Sequence, residues 1–397
     1  MENTDSGKNT EKKTRTIWYE DGTKETFELR QISDEELRQT LDAHRIWVGT
    51  NMNKGQEADL VFTDLSGRRL RRKFLSKINL EGVSFRDSDL TEANLDNSSL
   101  ERADLQDAKM IRTSMKEADL LNADFSGANL RGAQLQHAVM ESTCFVGAKM
   151  QQAKMENATL IKINLQDAAL SGTMLQNAFT EEIVLTNANL KRANLQNAWF
   201  EKADCSGACL EYADFTNANL GQSNLKGADL RGSIFDGTNV AGVKYDRQAK
   251  YQGIRVSTCH GSAMFKAFAQ HQDFIEELRD SGKKGNALYH VWNIFADCGR
   301  TPWRWLLWSL FFSLFFAMCF FYMGESHFSF SNKSDAFPFG FIAPIYYSVV
   351  TFTTLGFGDI TPKTPIAAIL VMAEVILGYV MLGGLISIFA TLITRRS

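Results

Sequence analysis

Seven residues near the C-terminus, Thr353-Thr354-Leu355-Gly356-Phe357-Gly358-Asp359, have the types and spacing to strip water from a cation and hold it with backbone. A row of carbonyl oxygens aimed at one axis needs φ/ψ values that alternate in handedness, and Gly356 and Gly358 adopt φ > 0 without steric cost. Thr354 adds a hydroxyl at the inner end, and the apolar bodies of Leu355 and Phe357 can pack outward and hold a ring open. Such a site passes an ion and breaks no bond. No catalytic constellation of His, Cys or carboxylates appears elsewhere, so the expectation is a protein that is not an enzyme and carries no cofactor.

The flanking segments must place this stretch in a membrane. Residues 303–323 form a largely apolar stretch of 21 residues, roughly 32 Å of helix and enough to cross a bilayer core. Trp303, Arg304, Trp305 and Trp308 mark its entry interface. A polar outer loop covers 325–337. Residues 339–352 are apolar but too short to span, and read as a re-entrant pore helix whose carbonyl end points at the cavity. The second span is 366–394. Glu374 is its one acidic residue, and a charge in lipid must face protein or water. Two readings stay open for it: a carboxylate bonded to the pore helix, or a ring of acids that concentrates cations beneath the filter. Arg300 and Arg304 precede the first span, and Arg395 and Arg396 follow the second. By the positive-inside rule both termini are expected in the cytoplasm. With the sequence ending at Ser397, regulation is expected to arrive from the N-terminal side.

The 353–359 stretch resembles the selectivity filter of potassium channels, whose loops read Thr-Val-Gly-Tyr-Gly. Leu355 stands where Val is usual and Phe357 where Tyr is usual; the ligands are main-chain oxygens, so neither change removes one. The resemblance implies K+ coordinated at Thr354, Leu355, Gly356, Phe357 and Gly358, with Thr353, Asp359, Tyr346 and Tyr347 in support. It implies a filter that selects potassium and is less rigid without the phenolic hydroxyl. Val350 occupies a place where some family members put a glutamate that pairs with the filter aspartate, so that pairing is unavailable to Asp359. Gly378, nineteen residues past Asp359 and one turn after Glu374, matches the hinge glycine of the family's inner helix, and Gly383 and Gly384 give a second soft point. One loop supplies a quarter of a filter, which implies a C4 homotetramer in the bilayer of the cell inner (plasma) membrane. No Arg-repeat helix is present, so no voltage sensor is expected. A non-selective cation channel and a membrane-anchored scaffold are the alternatives.

The N-terminal half is organised differently. Residues 1–57 form an entry module, with a hairpin around Asp21-Gly22 and a helix opened by Ser33 as N-cap and Glu36 as partner in a capping box. From 58 to 243 the chain locks to a period of five: the residues at 60, 65, 70 and onward to 240 are nearly all Leu, Phe or Met, with Thr180, Cys205 and Val240 as departures. Two places earlier sits a small residue, as at Ala93, Ala103 and Ala108, and one place earlier is often Asp or Asn. A period of five drifts around a 3.6-residue turn, so this is no α-helix. The pattern resembles the pentapeptide-repeat family, which implies a right-handed quadrilateral β-helix of roughly nine coils, a little over 40 Å long at about 4.8 Å per coil. All five prolines lie at 302 or later, as an uninterrupted ladder requires. Glu181-Glu182-Ile183 breaks the pattern and suggests a bulge. Residues 68–73, five of six basic, form a patch near the N-terminal end. Residues 244–301 form a helical linker: an amphipathic helix over 263–279 and a second, interfacial one resembling the slide helix before the first span of two-transmembrane potassium channels.

The fold expectation is therefore multidomain: the repeat region, then an α-helical two-transmembrane pore-loop domain over 302–397. Net charge is −3 and the repeat surface mixes both signs, which excludes nucleic acid as an expected partner and argues against mimicry of it. The charged first fifteen residues are unlike a secretory signal, and the scattered cysteines (Cys144, Cys205, Cys209, Cys259, Cys298, Cys319) show no metal spacing. The repeat region is expected to act as an assembly scaffold or to sense an unknown cytoplasmic regulator.

Overall fold

The computed structural model describes residues 13–18, 22–299, 301–330 and 340–394. The chain divides into two compact units, Met1–Asp273 and Phe274–Ser397, with the boundary inside one helix. In the first unit β1 (Thr14–Trp18) pairs antiparallel with β2 (Lys24–Glu28). Gly22 in the connection has φ +81°, while Asp21 lies outside the described residues. β3 (Arg30–Gln31) leads into α1 (Asp34–Gly49), where the Glu36 N–H donates to Ser33 Oγ at 3.1 Å. The Glu36 carboxylate takes Arg30 at 2.9 Å, so the second half of the expected capping box goes to an ion pair. β3 pairs parallel with β4 (Thr63–Asp64).

The repeat region corrects the fold expected from its resemblance. The sheets are small and open: β1–β2, β3–β4, and one of three strands, β5 (Val139–Glu141), β6 (Thr159–Ile161) and β7 (Phe179–Glu181). No closed stack of sheets, and so no quadrilateral β-helix, is built from them. Elsewhere the segment is joined by isolated parallel bridges, one residue at a time; Asp104 pairs with Asp124 and Asp124 with Cys144, twenty residues on each time. The reason lies inside each pentapeptide. A turn follows nearly every bridge between 58 and 243, and its second residue takes positive φ, as at Arg102 (+56°), Asp107 (+57°) and Asn122 (+55°). That leaves one residue in five free to bridge. The Asp or Asn at the bridge caps the turn itself: Asp104 Oδ1 accepts from Gln106 N–H at 3.1 Å, and Asp214 Oδ1 from Thr216 N–H at 2.9 Å.

Burial follows the period of five. Leu100, Leu105, Leu130 and Phe145 are fully buried, as are the alanines two places before such positions. Each buried large side chain contributes roughly 1.5–3 kcal/mol. Aromatic rings twenty residues apart stack, Phe125 on Phe145 at 4.8 Å between centroids. The expected bulge at Glu181-Glu182-Ile183 is absent: Leu160 pairs with Thr180 and Val184 with Asp204, both in step. Ile183 fits the small inward position, and the Thr180 hydroxyl donates to the Trp199 carbonyl at 2.7 Å, so a polar side chain is tolerated on the inner wall. Bridges continue beyond 243 to His260. Then follows α2 (Ala263–Asp280), with Phe265 fully buried against Phe235 and Tyr245.

The second unit is helical. α3 (Gly282–Ala296) sets Phe295 against Trp308 of α4 (Pro302–Met323) at 4.9 Å between ring centroids. Beyond α4, β8 (Phe328–Phe330) pairs antiparallel with β9 (Ile360–Pro362). Between them lies α5 (Ile342–Phe352), and after them α6 (Pro365–Thr394). α4 and α6 are long and apolar enough to cross a membrane, and α4, α5 and α6 pack on one another. Arg300, Phe339, Arg395, Arg396 and most of the expected outer loop lie outside the described residues.

Candidate functional site

The site is assembled where α5 ends. Thr353 caps the helix with φ −80° and ψ 0°, its N–H donating to Val349 O at 3.0 Å and its hydroxyl to the same carbonyl at 2.7 Å. Thr354 then turns left-handed, with φ +61°, while its N–H reaches Thr351 O and that of Leu355 reaches Val350 O, each at 3.0 Å. Gly356 has φ +43° and Gly358 φ +73°. Positive φ therefore recurs at alternate residues, 354, 356 and 358, and the first of them falls on a β-branched residue, where that conformation is strained.

Leu355 and Phe357 are 62% and 65% exposed, so neither packs within its own chain. Tyr346, on α5, is engaged by the Asp359 carboxylate through a side-chain hydrogen bond. Asp359 Oδ1 also accepts from the Ile360 N–H at 3.1 Å. Tyr347 turns the other way: it is buried between Phe320 and Phe328, at 5.3 and 5.5 Å between centroids, and braces α5 on α4 and β8. The two tyrosines thus do different work, and one touches the 353–359 stretch.

Behind the stretch lies a polar knot in an otherwise apolar bundle. Glu374 of α6 has no exposed surface. Its Oε1 accepts from the Ser348 hydroxyl of α5, which also lies 2.6 Å from the Ser313 carbonyl and 3.2 Å from the Ser313 hydroxyl of α4. Glu374 Oε2 is buried without a hydrogen-bond partner among the described residues. The acid in the span was visible in the sequence; its partners, 26 and 61 residues away by number, were not.

The glycines of α6 divide. A Cβ on Gly378 would stand 2.2 Å from the Phe352 carbonyl oxygen, and one on Gly384 2.0 Å from the Trp305 ring, whereas one on Gly383 would meet nothing within 4 Å. Trp305 is held there by its indole N–H, which donates to the Met381 carbonyl. Close helix approach therefore accounts for Gly378 and Gly384. Among the described residues no group of three or more His, Cys, Asp or Glu side chains could hold a metal ion.

Comparison with known proteins finds two families, one on either side of the boundary between the two units. Residues 306–395 match the family model described as an ion channel. Eight copies of pentapeptide repeats match between residues 58 and 244. Among solved structures, HetL, a pentapeptide repeat protein involved in heterocyst differentiation regulation in the cyanobacterium Nostoc sp. strain PCC 7120, is 24% identical over 49% of this chain and 92% of its own, with a TM-score of 0.34. A pentapeptide repeat protein of the Arabidopsis thaliana thylakoid lumen is 28% identical over 26% of this chain and 69% of its own, at 0.21. QnrB1, a plasmid-mediated fluoroquinolone resistance protein, is 16% identical over 48% and 90%, at 0.27. No curated protein matches the chain. The chain thus has an N-terminal pentapeptide-repeat domain and a C-terminal domain of the generic cation-channel type with two candidate membrane helices. These two families are consistent with a protein that is not an enzyme.

Proposed function

We propose that the C-terminal domain forms a cation-conducting pore, with the repeat domain as a cytoplasmic accessory for assembly or regulation. The recurrence of left-handed backbone at 354, 356 and 358, directly after a short apolar helix, is the observation that carries this reading. Alternating handedness turns successive carbonyls toward one axis, where they replace an ion's water. In this reading Thr354, Leu355, Gly356, Phe357 and Gly358 supply the oxygens, four copies complete the ring, and the exposed Leu355 and Phe357 side chains are covered by neighbouring copies. Asp359 and Tyr346 hold the outer end. Both termini lie in the cytoplasm, and the protein resides in the cell inner membrane.

The finer form of the proposal is preference for potassium over sodium. A pore that passes both ions is the second reading, favoured by Phe357, which lacks the hydroxyl that would tie the stretch to its helix. Purified full-length protein in liposomes tests both. Potassium flux that exceeds sodium flux at least tenfold supports selectivity, comparable fluxes of the two support the second reading, and no flux of either overturns the pore and leaves a membrane-anchored scaffold.

A further inference from the structure

The first unit contains a cleft of about 580 Å³ between α1 and the start of the repeats, a size suited to a small ligand. Leu37, Leu41 and Leu70 form its floor, and Arg38, Arg68, Arg69 and Lys73 its rim, with Asp34 as the one carboxylate among the lining residues. Two of the cations are engaged already. Arg68 pairs with Asp34 and also donates to the Ile32 carbonyl; Arg38 pairs with Glu35 at 2.8 Å. Arg69 and Lys73 are exposed and make no ion pair among the described residues.

The repeat itself marks this place. Two positions before each large inward residue it elsewhere buries an uncharged small or β-branched residue, most often alanine, 0–1% exposed at Ala93, Ala103 and Ala108. Arg68 and Lys73 occupy two consecutive positions of that register, before Leu70 and Leu75. Arg69 stands at the bridge position where Asp104 or Asp214 would cap its own turn. Three departures from the pattern thus gather cations on one cleft, at the expense of inner-wall burial and of a turn cap. The protein as a whole carries −3, so it offers no broad field to a polyanion; the positive charge is local and concave.

We infer that this cleft binds a soluble phosphate ester with an apolar body, of the nucleoside diphosphate class. Arg69 and Lys73 take the phosphates, Arg forking two oxygens and Lys acting as a point charge, while the leucine floor receives the base. A ligand on this rim also sits beside the Arg68–Asp34 pair that ties the first turn of α1 to the repeats, which gives binding a route to α1.

The test is calorimetric titration of the purified full-length protein with ADP, pyrophosphate and adenosine, a measurement that needs no ion current and so fails or succeeds apart from the pore proposal. ADP is expected to bind, with pyrophosphate and adenosine at least tenfold weaker. The double variant R69Q/K73Q should weaken ADP at least tenfold; both side chains are exposed, and an unchanged melting temperature of the unliganded variant verifies that it folds. Lys202→Gln, an exposed cation elsewhere on the repeats, should leave binding unchanged. Absence of ADP binding, equal affinity for pyrophosphate, undiminished binding in the folded double variant, or equal loss in the Lys202 variant would each overturn the assignment.

Discussion

The α-carbon of Gly378 lies so close to the Phe352 carbonyl that a β-carbon on the glycine would stand 2.2 Å from that oxygen. Phe352 is the last residue of α5, directly before the 353–359 stretch. The glycine that resembles a hinge is therefore also the point at which α6 presses on the base of the candidate filter.

Gly378→Ala should accordingly act as overpacking rather than as stiffening. A displaced carbonyl at Phe352 costs about 1–3 kcal/mol, and the expected result is a lower melting temperature together with altered cation flux. Gly383→Ala, with open space around it, should gain up to about 1 kcal/mol of helix propensity. Melting curves of the two variants check the contrast; a stabilised Gly378 variant would show that the contact is dispensable.

Gly356→Ala probes the stretch itself. Its φ of +43° is left-handed, where a β-carbon costs about 1–2 kcal/mol per residue. The expected outcome is loss of potassium preference in liposome flux with the melting temperature of the repeat domain unchanged. Unchanged potassium-over-sodium permeability would remove these residues from the ion path.

What could be read from sequence differed by the range of the interaction. The inner register was legible because Leu130 and Ala128 obey a local period that any window reveals. The sheets were not: a turn residue such as Arg102 at φ +56° cuts each ladder to one bridge, and residue type does not announce that. The Glu181–Ile183 run looked like a bulge because it breaks the five-residue pattern; in the fold Ile183 takes the inward position and the Thr180 hydroxyl finds the Trp199 carbonyl, a partner nineteen residues on. In the pore domain Gly378 announced itself as a glycine, while Phe352, the reason for it, comes from another helix. The basic patch at 68–73 was visible, but the cleft needs α1, and nothing in the sequence places that helix over it.

The register has a direct check. Leu130 is fully buried, so Leu130→Asp places a charge on the inner wall without a partner, and the repeat domain should lose cooperative folding. Asn129 is half-buried at the surface, and its Oδ1 accepts from the Arg131 N–H at 3.4 Å. Asp keeps that acceptor, so Asn129→Asp should shift the melting temperature by no more than a degree or two. Equal stability of the two variants would mean that the period is misassigned.

Acid should unfold the repeat domain through its bridge carboxylates. Burial alone would raise the carboxyl of Asp204, but hydrogen bonds from Ser206, Asn224 and Thr186 outweigh it and hold the group below the ordinary value. Burial of Asp214 is outweighed likewise by Thr216 and Gln196. A depressed folded pKa gives stability that is present above the unfolded value, about 3.9 for Asp, and is lost as pH falls through the folded pKa. Melting temperature should thus be flat from about pH 7 to 5 and fall steeply below about pH 4. Asp204→Asn should be less stable than the parent at pH 7 and lose less between pH 4 and 2. Parallel curves for the two proteins would exclude Asp204 from the acid response.

Glu374 distinguishes bracing from cation attraction. If it braces, what matters is an acceptor for the Ser348 hydroxyl, and Glu374→Gln supplies one without charge. If it attracts cations, the charge is what matters, and Gln should reduce outward current at low salt and weaken block by internal magnesium or polyamines. The geometry favours the brace: the side chain has no exposed surface, and Oε1 is bonded to Ser348, which is bonded in turn to Ser313. The expected outcome is normal conductance and normal block in Glu374→Gln. Ser348→Ala should be the more damaging change, because it leaves both carboxylate oxygens buried without a donor, at about 1–3 kcal/mol. The double change Ser348→Ala with Glu374→Leu removes the donor and the acceptor together and should recover much of that loss. Single-channel recording and melting curves of the three variants decide the matter. Reduced block in Glu374→Gln with unchanged stability in Ser348→Ala would assign the carboxylate to the ion path instead.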